Sequence, residues 1–265
     1  MRGLMHRPRF SFNFADWISG MIPNIFRALS VAALVGLATA PAIAMSVSPN
    51  EIEMISAGAA GRTQITVTNS NATPLPVETS IQRLDIDENG KVKTAPAGDE
   101  FLVFPPQAMI PAGGTQVFRI QWVGEPNLDR SRSYMMSVTQ IALKLPKGQS
   151  GIRMVSSFGV VINVAPPQGK ASLKLISTGI MTDPKGKRHA TVTIENPTNV
   201  HGVLEQSAIR LTAGSWSKTY GPSDIAQKIG IGIVQPGKRR KFILPDELPA
   251  NTGKIQARLD YTPAR

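Results

Sequence analysis

The chain contains no cysteine, only three histidines, and 6% aromatic residues. The absence of cysteine excludes disulfides, catalytic thiols, Cys-ligated zinc and thioether haem attachment. It leaves the compartment open, because two domains of about 100 residues each can bury enough core without cross-links. The histidines are His6, His189 and His201, each isolated in sequence. His189 and His201 read as exposed strand or loop residues. No His-x-His, Glu-x-x-His or Gly-x-Ser-x-Gly arrangement occurs, so the motifs of zinc hydrolases and serine hydrolases are missing. Asp85-Ile86-Asp87-Glu88-Asn89-Gly90 superficially matches a calcium loop, but Pro96 stands where the bidentate Glu should be. That makes it a hairpin turn. Gly230-Ile231-Gly232 follows no phosphate-binding pattern. We expect no catalytic residue, no metal and no cofactor.

Long apolar runs are also missing, with one exception. Ala28 to Ala44 is uncharged and mostly apolar, and it ends in Ala42-Ile43-Ala44. Arg2, Arg7, Arg9 and Arg27 precede or border it against the single acid Asp16. A basic start, an apolar stretch and a small-x-small end are the parts of a secretory signal peptide. The stretch is short for a bilayer span and is broken by Pro41. Residues 1–44 are therefore expected to direct export to the periplasm and to be removed after Ala44, leaving no membrane insertion. The whole chain has 29 Lys plus Arg against 18 Asp plus Glu. For an exported chain this basic balance fits solubility or an acidic protein partner, not nucleic acid. The densest cluster, Lys238-Arg239-Arg240, follows a Pro-Gly turn and reads as a solvated strand start.

Beyond residue 44, short alternating runs dominate the chain. Gln64–Thr68, Val77–Ile81, Gln116–Ile120 and Met135–Thr139 alternate apolar and polar residues, with turn residues between them. Asn69-Ser70-Asn71, Asp87 to Gly90 and Pro111-Ala112-Gly113-Gly114 mark those turns. No segment of twelve residues in this part holds a helical period. Period two with Pro, Gly and Asn punctuation predicts an all-β protein. Ala165-Pro166-Pro167-Gln168-Gly169 interrupts the series, which restarts at Ala171. We expect two immunoglobulin-like β-sandwich domains in tandem, residues 45–165 and 171–265, joined by a linker at 166–170. Second-domain strands are expected near Ala190–Glu195, Ile209–Thr212, Arg240–Leu244 and Lys254–Tyr261. Glu195-Asn196-Pro197-Thr198-Asn199 echoes Thr68-Asn69-Ser70-Asn71-Ala72 as a strand running into an Asn-rich turn.

Several of these stretches resemble the PapD-like periplasmic pilus-assembly chaperones. Phe104 to Trp122, FPPQAMIPAGGTQVFRIQW, is similar to the Pro-Pro, Pro-Gly and Val-x-Arg-Ile signature of that family's first domain. Ser48-Pro49 opens the first strand, and Gly61 to Asn69 resembles the second strand entering its Asn turn. Leu128 to Tyr134 occupies the place of the family's Asp-Arg-Glu-Ser loop, Lys144-Leu145-Pro146 that of its Ile-Pro ending, and Ile152 to Val164 that of its donor strand. The resemblance implies a chaperone that binds pilus or fimbrial subunits by lending them a strand and delivers them to an outer-membrane usher. It places Ile152, Met154, Ser156 and Phe158 on the donor face and Arg153, Val155 and Ser157 opposite. Where the family holds a subunit carboxylate with an Arg and a Lys, this chain has Glu53 and Val161, so Arg119 and Arg153 become the candidate anchors. Arg132 stands where the family has the acid of an interdomain ion pair, and Ala165 where it has the base. A secreted two-domain adhesin or structural binding module is the alternative.

Overall fold

The computed structural model describes residues 45–142, 155–250 and 252–263. The proposed export signal, and Ile152, Arg153 and Met154, lie outside the described residues. The first ten strands are β1 (Met45–Ser48), β2 (Glu51–Ile55), β3 (Arg62–Asn69), β4 (Leu75–Ile86), β5 (Val92–Pro96), β6 (Phe101–Phe104), β7 (Gln107–Ile110), β8 (Thr115–Trp122), β9 (Arg132–Gln140) and β10 (Ser157–Ala165). They form two facing sheets. One has the order β1, β3, β8, β6; the other has β2, β10, β9, β4, β5, with β7 also paired to β4.

Each core strand buries every second residue, as a pleated strand with one wet face must. Ile65 and Val67 of β3 meet Phe118 and Ile120 of β8 from one sheet. Tyr134, Met136 and Val138 of β9 meet Val160, Ile162 and Val164 of β10 from the other, all within 1% of complete burial. Phe101, Trp122 and Tyr134 close one end, with ring centroids 4.8, 5.1 and 5.9 Å apart. The Tyr134 hydroxyl donates to Glu100 at 2.7 Å, so a large buried side chain leaves no unsatisfied group.

The second sandwich comprises β11 (Lys174–Thr182), β12 (Arg188–Glu195), β13 (Ala208–Ala213), β14 (Trp216–Tyr220), β15 (Arg239–Glu247) and β16 (Gln256–Asp260). Its sheets have the orders β11, β12, β15 and β14, β13, β16. Ala190, Val192 and Ile194 pack with Ile209, Leu211, Phe242 and Leu244 between them. A short helix, α1 (Pro222–Lys228), caps this core through Ile225. Its proline at the first position needs no hydrogen bond there. The sequence carries no helical signal here because seven residues are two turns, too few for a period to show. The fold is thus all-β, with two immunoglobulin-like sandwiches in tandem.

The two domains repeat local chemistry. Asn69, wholly buried, donates its amide to the carbonyls of Thr73, Ile110 and Pro111 at 2.9–3.1 Å and accepts from the Asn71 N–H. Asn196, equally buried, donates to Val200 and Val234 and accepts from the Thr198 N–H. Each amide serves turn carbonyls that would otherwise lie buried and unpaired. A second repeat concerns hairpins. Asp87 accepts the N–H groups of Asn89 and Lys91, and Asp183 those of Lys185 and Lys187. Gly90 and Gly186 take φ of 84° and 81°, the left-handed conformation that these turns require.

We expect Asn69→Ala to destabilise the protein by about 3 kcal/mol, because up to three buried carbonyls lose their donor. Asn89→Ala, exposed at a turn tip, should stay within about 0.5 kcal/mol. Urea unfolding curves with unchanged slope would show both.

Candidate functional site

β10 alternates cleanly. Phe158, Val160, Ile162 and Val164 face the first core, and Ser157, Gly159, Val161, Asn163 and Ala165 face the other way. On one side β9 pairs with it over its length, from Val164 opposite Arg132 to Ser157 opposite Thr139. On the other side β2 runs parallel, but only from Val161 opposite Glu51 to Ala165 opposite Ile55. The last bond on that side is the Val161 N–H to the Asn50 carbonyl at 3.0 Å. At Pro49 the chain leaves this sheet, and the preceding residues join the other sheet as β1 against β3. Among the described residues, no strand pairs with the second edge of Ser157–Val160. Strand alternation aims the main-chain groups of Ser157 and Gly159 at that open edge. No charge, proline or bulge among these residues blunts it. Val155, just before β10, is 49% exposed.

The residues singled out from sequence are distributed unevenly. Ser156 is half-buried and its carbonyl accepts the Gln140 N–H at 2.9 Å. Phe158 is half-buried and packs against the first core. Both share the alternation that Val160, Ile162 and Val164 continue inward. Arg119 lies exposed on the outer face of β8, in the opposite sheet, where it lines a cleft with Arg62, Leu102 and Phe104. The structure does not bring it to the open edge.

At the root of the edge, the outer face of β2 carries carboxylates. Asn163 stands opposite Glu53 and donates to it at 2.9 Å. Ser133 of β9 donates to Asn163 at 2.8 Å. His201 of the second domain reaches Glu53 through Nε2 at 2.6 Å, and its main-chain N–H donates to Ser131. His201 is 5% exposed, which corrects the expectation of an exposed loop residue; His189 is also half-buried, 3.6 Å from Asp183. Isolation in sequence concealed His201 because its partner lies 148 residues away. Glu53, at the position the resemblance gives to a basic anchor, is thus held internally. The other such position, Val161, stands opposite Glu51 and packs in an interdomain cluster with Leu84, Ile86, Val203 and Ile233.

Glu51 is half-buried in a cavity of about 140 Å³ lined by Asn50, Glu205, Ala226, Gly230 and Ile231 as well. One of its oxygens is buried without a partner. Burial, then the charges of Glu53 and Glu205, push its carboxyl up to about 7. No Lys or Arg lines this cavity. Its charge disfavours a carboxylate ligand.

The remaining interdomain contacts are largely polar. Lys238 pairs with Asp85 at 2.6 Å. Gln235 donates to the Leu84 carbonyl and accepts the Ile86 N–H, and the Lys241 N–H donates to the Glu88 carbonyl at 2.7 Å. Within the second domain, Arg239 pairs with Glu195, and Arg240 lies 5.0 Å over the Phe242 ring and donates to the Ile233 carbonyl. The Lys238 to Arg240 cluster is therefore engaged, not simply solvated: Lys238 meets Asp85 of β4, and Arg239 and Arg240 meet neighbours in their own domain. Arg132 is held inside the first domain by Glu100 at 2.6 Å and Glu125 at 3.2 Å.

Residues 46–165 match the family described as pili and flagellar-assembly chaperone, PapD N-terminal domain. That match spans the first domain and less than half of the chain. No curated protein matches the chain. Among solved structures, one of Salmonella enterica SafA pilin in complex with the SafB chaperone aligns over 81% of this chain and 88% of its own, at 18% identity and a TM-score of 0.51. A crystal structure of the YadV chaperone aligns over 81% and 91%, at 14% identity and a TM-score of 0.51. At these identities the likeness is one of fold.

The Glu51 carboxyl generates a pH prediction. Its folded pKa is raised, so in the window from about 4.5 to about 7 the folded state holds a proton that the unfolded state has lost. Stability must fall as pH rises through that window. Glu51→Gln should leave the melting temperature unchanged near pH 4 and raise stability at pH 8, on the order of 1 kcal/mol after allowance for partial exposure. An equal effect at both pH values would contradict this.

Proposed function

We propose that this protein is a periplasmic chaperone for pilus or fimbrial subunits, acting by strand donation and not by catalysis. The observation that carries the reading is the open edge of β10 from Ser157 to Val160, next to a segment of the same alternation. A sheet edge with free N–H and C=O groups can take an extended strand from another protein, with main-chain bonds giving affinity and alternate side chains giving fit. The match of residues 46–165 to the PapD N-terminal domain family supports it. So do the solved structures of like fold, one described as a pilin held by its chaperone.

In this reading one face of one strand serves two cores. Val160, Ile162 and Val164 complete this chain's own sandwich, whereas Ile152, Met154 and Ser156, with Phe158 at the border, fill pockets in the subunit. Delivery to an outer-membrane usher and export through residues 1–44 complete the role. Of the two arginines considered as carboxylate anchors, Arg153 adjoins the donor segment in sequence and Arg119 lies on the other sheet.

The test is co-expression with subunits encoded near this chain's gene, followed by pull-down and thermal melting. Ile152→Asp and Met154→Asp should each leave the free protein folded. Each should weaken capture at least tenfold, since burying one such side chain contributes roughly 1.5–3 kcal/mol and a decade is about 1.4. Phe158→Asp should lower the melting temperature of the free protein as well, because Phe158 packs on its own core. Normal capture by folded Ile152→Asp and Met154→Asp would end the strand-donation reading.

A further inference from the structure

A half-paired strand has a register problem. From Ser157 to Val160, β10 is held by β9 alone. Sliding it by one residue exchanges its faces; sliding it by two keeps the faces but moves every side chain along the partner. The apolar residues on its core face resist a two-residue slip weakly, because valine, isoleucine and valine succeed one another there. A side chain with specific hydrogen-bonding demands resists it strongly, because displacement leaves its polar atoms buried and unpaired.

β10 has one such side chain. Asn163 is wholly buried and sits on the face turned toward the second domain. Its amide nitrogen donates to Glu53 on β2 at 2.9 Å, and its oxygen accepts from Ser133 on β9 at 2.8 Å. Both neighbouring strands are thereby tied to one residue. Glu53 is in turn fixed from outside the sheet by His201, at 2.6 Å and 3% side-chain exposure. The His201 main chain is held by Ser131, just before β9. The chain of contacts runs from the second domain through β2 into the covered half of β10.

We infer that His201 is a positioning residue for the open edge: through Glu53 and Asn163 the second domain fixes the register in which β10 is presented. The inference rests on the strand-donation reading for its purpose but not for its mechanism. The second domain thus does more than add bulk to the chaperone. It carries the contact that determines which side chains stand at which points along the donated strand.

The protein has no cysteine of its own, so introduced pairs report register without interference. Thr139 and Ser157 lie opposite each other with hydroxyl oxygens 2.8 Å apart on an exposed face. The pair Thr139→Cys with Ser157→Cys should cross-link efficiently under mild oxidation. Thr139→Cys with Val155→Cys, which reports a two-residue slip, should not. Adding His201→Ala or Asn163→Ala should lower the in-register yield at least twofold and bring up the slipped product. His201→Gln, which can still donate to Glu53, should restore the original pattern. Ser133→Ala, a loss of one hydroxyl, serves if either alanine variant fails to fold. A residue that only stabilises the interface would lower the melting temperature and leave both yields unchanged, and that result overturns the inference. Subunit capture does not enter this readout. Failure of the unmodified protein to capture any subunit would therefore sink the proposed function alone, while unchanged cross-links would sink the register lock alone.

Discussion

The constraint on which the first domain turns is the transfer of its opening strand from one sheet to the other at Pro49. Proline offers no N–H to a ladder, so the run β1 to β2 cannot pair continuously on one side. β1 goes to β3 and β2 goes to β10. The core is closed on both faces by this division, since Met45 of β1 and Ile52 and Met54 of β2 are all buried in it. The consequence is that β10 is covered at one end of its second edge and open at the other. The complete core and the free edge come from the same division of one strand. The feature that supports a binding role is thus a by-product of how the sandwich closes.

An open edge in a protein that must also stay soluble needs restraint from within the sheet. β10 receives it from three directions: the full-length ladder with β9, the burial of Val160, Ile162 and Val164, and the polar ties at Asn163. The first two supply stability. The third supplies position, because apolar contacts tolerate displacement that hydrogen bonds do not. The carboxylates at the root of the edge show how that position costs something. Glu51 sits half-buried near Glu53 and Glu205 with an oxygen unsatisfied.

Much of this was legible in the sequence, for a physical reason. β3, β8, β9 and β12 each have one wet and one dry face, so their residues alternate and the alternation can be read. The strands that escaped include one without a dry face. β5 is exposed at every position and leaves no pattern. α1 is too short to show a period. Turn chemistry was legible where a residue acts locally, as Asp87 and Asp183 do within four residues and as Asn69 and Asn196 do toward their own turns, though both asparagines also reach carbonyls about 40 residues away. It was not legible where the partner is remote. His201 gave no signal because burial beside Glu53 is decided by the packing of two domains, and nothing adjacent to either residue announces it.

The interdomain contacts differ in how far they depend on particular side chains. Side-chain pairs such as Lys238 with Asp85 depend on both residues being kept. Most of the other contacts need only a backbone on one side or both. Gln235 pairs with main-chain atoms at Leu84 and Ile86, Asn199 donates to the Asp129 carbonyl, and Ser131 donates to Asn199 main chain to main chain. Lys241 meets Glu88 in the same way. A backbone group is present whatever residue carries it. An interface built this way preserves geometry while composition drifts, and the side chains freed from that duty can be redeployed. Arg132, where the resemblance places one half of an interdomain ion pair, instead braces Glu100 and Glu125 within its own domain. Glu53, where the resemblance places a group that faces the ligand, instead meets a histidine from the second domain. The contact between the two sandwiches is therefore carried largely by main-chain groups, with a few side-chain pairs laid over it.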